Sequence, residues 1–380
     1  MRSLSRSLAL LLFPFLLAAC SDGVADIFET QPPITVAVVG PTRGPYSGLG
    51  GEMRAGVQQA EQDINAKGGV LGHVLKLRGV DDQCDAKLAA GIARGLVREK
   101  VTFVVGHFCS TSSIAAAPIY SEANILMISP SSSSAALTDE AAARGSSNIF
   151  RVVPRDDTQG VPLAQHILGH YPGAPVALVD DGSAYGRNVT RSTRQALAEK
   201  GVRPALAESV PADTEDFSGL VARLKAHAIG VIVFGGYAEE AAKLLLEARR
   251  QGLEAAFGGG DTLMADDFQR RAKAAAEAVF MTSLPDARKL PTAQHAVEGL
   301  ATFGIDAKGY TLYTYAAVEL FAEAAERAKS LDATAVAKAL REGEYPTALG
   351  PLSFDAKGDL KGSRYAIYVW HDGAAQPLRP

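Results

Sequence analysis

In this 380-residue chain, the residues best suited to bind something are hydroxyls clustered at the ends of apolar runs. Val101–Val105 stops at Gly106-His107-Phe108-Cys109-Ser110-Thr111-Ser112-Ser113, and Ile125–Ile128 stops at Ser129-Pro130 followed by Ser131–Ser134. In an open α/β sheet, ligands settle at the carboxyl ends of the strands. Backbone N–H groups at the start of a following helix favour an anion, and hydroxyls both donate and accept. Serine runs also serve as flexible linkers or plain turns, but both of these lie between periodic segments rather than between domains. An acid stands at Gly258-Gly259-Gly260-Asp261, on a loop so short of side chains that a ligand can approach closely. An N-cap for the next helix is the competing role for Asp261. Tyr185, within Asp181-Gly-Ser-Ala-Tyr-Gly186, and Tyr237, after Gly235-Gly236, end similar runs; local packing or core burial would explain them equally well.

Nothing here assembles into an enzyme. The chain has no Gly-x-Ser-x-Gly elbow, His-Glu-x-x-His pair or phosphate loop, so no catalytic residue, metal ligand or cofactor is assigned. A secreted hydrolase remains a rival only in principle.

Three cysteines narrow the choices further. Cys109 with His107 could form a nucleophile pair, but in an extended segment the two sit about 7 Å apart, and no third group orients the histidine. Zinc lacks a suitably spaced third ligand. A disulfide between Cys84 and Cys109 fits better, each cysteine following a strand candidate (Leu75–Val80 and Val101–Val105). If those strands are parallel neighbours, their ends come within bridging range. Such a bridge would close a loop of about 25 residues, worth roughly 3–4 kcal/mol.

The elements that must carry these loops alternate regularly. Ile34–Val39 reads as a strand, and Met53, Val57, Ala60 and Ile64 form a helical stripe ending at Gly68-Gly69. Strands at Leu75–Val80, Val101–Val105 and Ile125–Ile128 follow, and the pattern restarts with Pro175–Val179, Gly230–Phe234 and Ala278–Thr282. Repeated βα units predict parallel sheets covered on both faces. Polar breaks at Val153–Thr158, Leu284–Lys289 and Tyr345-Pro346 divide the series into two lobes joined by three crossings. The helix Thr311–Ala328 belongs to the first lobe and the final strands, with Trp370, to the second. The expected boundaries are 34–153 with 285–345, and 154–284 with 346–380.

Composition fits a well-cored globular protein. The chain is 47% hydrophobic and 21% charged with net charge −4 and no basic cluster, which argues against nucleic acid. Arg2 and Arg6 precede the apolar run Leu8–Leu17, too short to span a bilayer and shaped like a secretory signal. It closes at Leu17-Ala18-Ala19-Cys20, which resembles the bacterial lipoprotein signal. By that resemblance residues 1–19 are removed, Cys20 is lipidated, and 20–33 tether the protein to a membrane facing the periplasm or cell exterior.

The ordered motifs Val36-Ala-Val-Val-Gly-Pro41, Asp63-Ile-Asn-Ala-Lys-Gly-Gly69, Asp81-Asp-Gln-Cys-Asp85, Gly106-His-Phe-Cys-Ser110, Asp216-Phe-Ser-Gly-Leu220, Gly235-Gly-Tyr237 and Leu349-Gly-Pro-Leu-Ser-Phe-Asp-Ala-Lys-Gly358 span nearly the whole mature chain. Together they resemble the leucine/isoleucine/valine-binding proteins of bacterial ABC transporters. The resemblance implies an α/β, two-lobe type I periplasmic binding fold that captures a free amino acid between its lobes. Ser110 would take the α-carboxylate, while the Ser131 carbonyl and the Ser133 hydroxyl would take the ammonium. Ser133 replaces the family's usual Thr. Tyr185, Tyr237 and Asp261 would close over the ligand, Asp261 standing where the family has Glu. Leu49 replaces a Tyr at the cleft mouth, and Tyr310 matches an aromatic lining the side-chain pocket.

The resemblance further implies a monomer that delivers a branched-chain amino acid to an ABC permease. Rival readings within the same fold are a sensor or protein-interaction module and a binder of amide or urea-type solutes.

Overall fold

The computed structural model describes residues 31–378 apart from Ala212 and Ser363. The signal sequence, Cys20 and most of the expected tether lie outside the described residues.

Five strands form the first sheet, the inner ones short and nearly continuously apolar: β1 (Ile34–Gly40), β2 (Leu75–Asp81), β3 (Phe103–Gly106), β4 (Leu126–Ser129) and β5 (Ile149–Arg151). Their order is β2-β1-β3-β4-β5, and every pair is parallel. Alternate residues feed two separate cores. Val36, Val38, Phe103 and Val105 pack on one face, and Ala37, Val39 and Val104 on the other. That double burial is why the inner strands are apolar at nearly every position, whereas the edge strand β2 carries Lys76 and Arg78. Helices α1 (Ser47–Ala66), α2 (Ala86–Arg98), α3 (Ser110–Glu122) and α4 (Ala135–Ala143) connect the strands.

The second sheet repeats the scheme with β6 (Val176–Asp180), β7 (Leu206–Ser209), β8 (Val231–Gly235), β9 (Ala256–Gly259) and β10 (Phe280–Ser283). Its helices are α5 (Gly160–His170), α6 (Ala184–Ala198), α7 (Ser218–Ala226), α8 (Ala238–Arg250) and α9 (Asp266–Ala272). The chain then returns to the first lobe as α10 (Gln294–Thr302), α11 (Thr311–Ala328) and α12 (Ala333–Glu342), followed by the hairpin β11 (Glu344–Thr347) and β12 (Gly350–Ser353). Phe321 of α11 stacks on Phe103 with ring centroids 4.4 Å apart. Against α1, the helix comes so close that a Cβ on Gly56 would stand 2.1 Å from the Thr311 carbonyl oxygen. Only glycine fits there.

Finally β13 (Ala366–His371) and β14 (Ala374–Pro377) add antiparallel to β10, giving the order β14-β13-β10-β9-β8-β6-β7.

Two expectations are corrected. The boundary drawn at 345/346 falls inside the β11–β12 hairpin, which stays with the first lobe. Phe354 packs edge-on to Phe150 at 5.2 Å, and Asp359 pairs with Arg151 at 2.7 Å. The chain crosses back after Asp359. In addition, β2 and β3 are not neighbours, because β1 lies between them.

Candidate functional site

Both hydroxyl loops sit at carboxyl ends of first-lobe strands, and they are laced to each other. After β3 the chain runs through His107 and Phe108 into α3, whose first residue is Ser110. After β4 it runs through Pro130 and Ser131–Ser134 into α4. The Ser129 and Ser132 hydroxyls donate to the His107 carbonyl at 2.9 and 3.1 Å, and the Ser131 hydroxyl to that of Phe108 at 2.9 Å. Ser110 Oγ accepts the Ser134 N–H at 3.2 Å, and the buried Ser133 offers its carbonyl to the Asp156 N–H at 2.9 Å. With its serines used this way the second run is rigid, not a linker.

Three supports lie under these loops, and of them only the disulfide was legible in the sequence. The Arg151 guanidinium, fully buried, donates to the carbonyls of Ser132 (3.0 Å) and Ser134 (2.7 Å) while pairing with Asp359. His107 is also fully buried, with Nδ1 2.7 Å from Asp82 Oδ2 and Nε2 3.0 Å from the Tyr120 hydroxyl. That occupies both ring nitrogens and removes any partnership with Cys109. Cys109 instead forms the disulfide with Cys84, Cα atoms 5.3 Å apart. The bridge reaches over the end of β1 and ties the start of α3 to the turn before α2.

The second lobe contributes an acid ringed by neutral donors. Asp261 follows β9, where Gly260 has no room for a side chain, since a Cβ would come within 2.1 Å of the Tyr185 hydroxyl. Asp261 Oδ1 accepts from the Tyr185 hydroxyl at 2.8 Å and from Gln159 Nε2 at 2.8 Å. Its Oδ2 accepts from the Tyr310 hydroxyl at 3.0 Å. Burial first, then the Asp261 charge, pushes both phenols well above their ordinary range, so each stays protonated and can donate. Tyr310 belongs to the first lobe, so this last bond crosses between lobes.

Aromatic rings continue along the seam. Tyr310 meets Phe108 edge-on at 5.0 Å, and Tyr237 lies 5.7 Å from Tyr185 and 4.7 Å from Tyr46. Leu49, in the first turn of α1, is half-buried beside the core.

Further polar contacts hold the lobes together. Thr111 Oγ1 accepts the Ala184 N–H at 3.2 Å, Asn188 donates to Ser134 Oγ at 2.7 Å, and the Tyr46 hydroxyl donates to Glu240 at 3.4 Å. Lys308 pairs with Asp266. Burial pushes the Glu240 carboxyl up to about 7 and that of Asp181 up to about 6. The arrangement therefore has an anion-accepting helix start with hydroxyls in one lobe, a carboxylate in the other, and tyrosines spanning the join. That is the inventory for holding a small zwitterion by its two ends.

Residues 33–375 match the family of periplasmic binding proteins. The chain belongs to that family. It is 36% identical over 342 residues to an amino acid binding protein of Pseudomonas aeruginosa, covering 89% of this chain and 90% of that one. It is also 36% identical over 342 residues to a Leu/Ile/Val-binding protein homolog of Brucella melitensis, covering 90% and 91%. Among solved structures, a branched-chain amino acid transporter substrate binding protein from Streptococcus pneumoniae, in complex with isoleucine, superposes with a TM-score of 0.79 at 25% identity, covering 92% of this chain and 100% of that one. Members of this family are exported solute-binding proteins of transport systems rather than enzymes. Among the described residues, no helix is long and apolar enough to cross a membrane.

Proposed function

We propose that the protein captures a free amino acid, with leucine, isoleucine and valine foremost, and delivers it as a monomer to an ABC permease. Lipidation of Cys20 would hold it at the membrane. The observation that carries this reading is Asp261, a carboxylate given only neutral hydrogen-bond donors by the protein and placed at the seam opposite the serine loops. An acid so held keeps its charge available for an ammonium group. Ser110, at the N-terminus of α3, takes the α-carboxylate with its hydroxyl and backbone N–H, using the partial positive charge of the helix start. The Ser131 carbonyl and the Ser133 hydroxyl complete the ammonium shell. Tyr185, Tyr237 and Tyr310 cover the ligand, with Leu49 at the mouth.

Closure supplies the selectivity. A ligand shifts the open–closed balance only through contacts made better in the closed form. Asp261 and Tyr185 come from the second lobe, so their contacts with a ligand on the serine loops exist only after closure. A handful of charge-assisted bonds at about 1.5–3 kcal/mol each reaches the roughly 8 kcal/mol of micromolar binding.

Calorimetric titration of the purified protein with each free L-amino acid tests the reading. Branched-chain amino acids should bind, and Ser110→Ala should weaken them at least tenfold. No heat with any amino acid, but binding of an amide or urea-type solute, would replace this reading with the rival one.

A further inference from the structure

The side-chain amide of Gln159 is fully buried where the three crossings converge. Nε2 donates to Asp261 Oδ1 at 2.8 Å, while Oε1 accepts the Asp261 N–H at 3.3 Å and the Thr282 hydroxyl at 2.5 Å. Gln159 directly follows the turn Asp156–Thr158 of the first crossing. Thr282 lies in β10, just ahead of the second. Tyr365, at the end of the third, donates to the Pro154 carbonyl of the first at 3.3 Å. Gly260 belongs to the same fit, since a Cβ there would stand 3.0 Å from Gln159 Oε1.

An amide is the group this place calls for. Its N–H edge satisfies a carboxylate oxygen without neutralising it, and its carbonyl edge takes the peptide N–H of the same residue. A lysine or arginine would supply a rival cation exactly where the ligand's own must pair. Asp261 is thus gripped at side chain and backbone by one residue, which also touches the strand entering the second crossing.

We propose that Gln159 is a positioning residue for amino-acid capture: it holds Asp261 toward the ligand ammonium and links that carboxylate to the hinge strands. The proposal rests on the amino-acid reading of the cleft, and it makes Gln159 the point where ligand capture meets the hinge.

The decisive variant is Gln159→Glu, which keeps the shape but turns the donating edge into a carboxylate oxygen facing Asp261. Leucine affinity should fall more than tenfold at about pH 8. That deficit, relative to wild type at the same pH, should shrink severalfold at about pH 5.5, where the introduced carboxyl takes a proton and donates again. A deficit that came only from altered shape or packing would not change with pH. Wild-type affinity in Q159E at about pH 8, or a pH-independent deficit, overturns the proposal.

Hydrogen exchange at the Asp261 N–H in the ligand-free protein separates this from the function itself. Gln159→Leu should speed that exchange at least tenfold. If wild type binds no amino acid yet the exchange accelerates, the amino-acid reading fails while the grip on Asp261 stands. Unchanged exchange refutes the positioning role whatever the ligand.

Discussion

Replacing Glu240 by glutamine should stabilise the protein at neutral and alkaline pH, but not in acid. Glu240 lies in the first turn of α8 and is 3% exposed. One carboxyl oxygen accepts from the Tyr46 hydroxyl of the other lobe at 3.4 Å, and the other, Oε2, is buried without a partner. Its place near a helix N-terminus favours the anion, and Lys243 pulls the same way, but burial and the charges of Asp181 and Glu239 outweigh both. The carboxyl ends up at about 7 against an ordinary 4.5. That gap corresponds to about 3 kcal/mol favouring the neutral acid over the ionised one in the folded chain. Because the folded value is raised, the stability it contributes is complete below about 4.5 and is lost as pH rises through 7. Glutamine has the same shape and never ionises, though its amide hydrogens inherit the partnerless position at a cost of about 1 kcal/mol or more.

Glu240→Gln should therefore raise the unfolding free energy by about 1–3 kcal/mol at pH 8 and by nothing, or slightly less than nothing, near pH 4.5. Urea unfolding of both proteins at the two pH values measures it. Glu52 and Glu319, also pushed up to about 7 by burial, titrate in both proteins and cancel in the difference. A variant less stable than wild type at pH 8, or a gain of equal size at both pH values, refutes the reasoning.

Three further outcomes are expected. Asp261→Asn keeps the volume but removes the charge proposed to face the ammonium, so leucine binding should weaken by about 1.5–3 kcal/mol, roughly tenfold to more than a hundredfold, in calorimetry. Reducing the Cys84–Cys109 bridge, 25 residues apart, should cost about 3 kcal/mol of stability in urea unfolding with and without reductant. Arg151→Met should destabilise the first lobe by about 3 kcal/mol, the low end for breaking a buried pair. Asp359 retains a second partner in Arg155 at 3.1 Å, so its charge is not left alone.

The sequence exposed the parts of the fold whose signal is local. Strands such as Ile34–Gly40 and Val231–Gly235 announce themselves as apolar runs, and α11 was legible from its periodicity alone. Strand β9, Ala-Phe-Gly-Gly, hides because its glycines carry no hydrophobic signal, and β7 is a short strand at the sheet edge with only alternate residues inward. The third crossing was placed too early because Pro346 reads as a break. It actually sits in β11 of a two-stranded hairpin, opposite Pro351, where a missing N–H breaks no larger sheet.

The site divides the same way. The serine runs and Asp261 stand out by composition, and the roles proposed for them rest on the resemblance. Gln159 and Arg151 stayed invisible because their partners lie 102 and 208 residues away, and nothing near either residue hints at them.

The disulfide beneath the Ser110 loop also bears on how the protein is made. Cysteines stay reduced in the cytosol and pair only in an oxidising compartment. Until export, the chain therefore lacks a cross-link worth about 3 kcal/mol in the lobe that carries the serine loops. A translocation channel meets a polypeptide that is easier to keep unfolded than the finished product. Once across, oxidation joining Cys84 to Cys109 makes the fold harder to reverse and ties down the start of α3 in the same step. A cross-link that forms only after transit thus also acts as a ratchet on the direction of secretion.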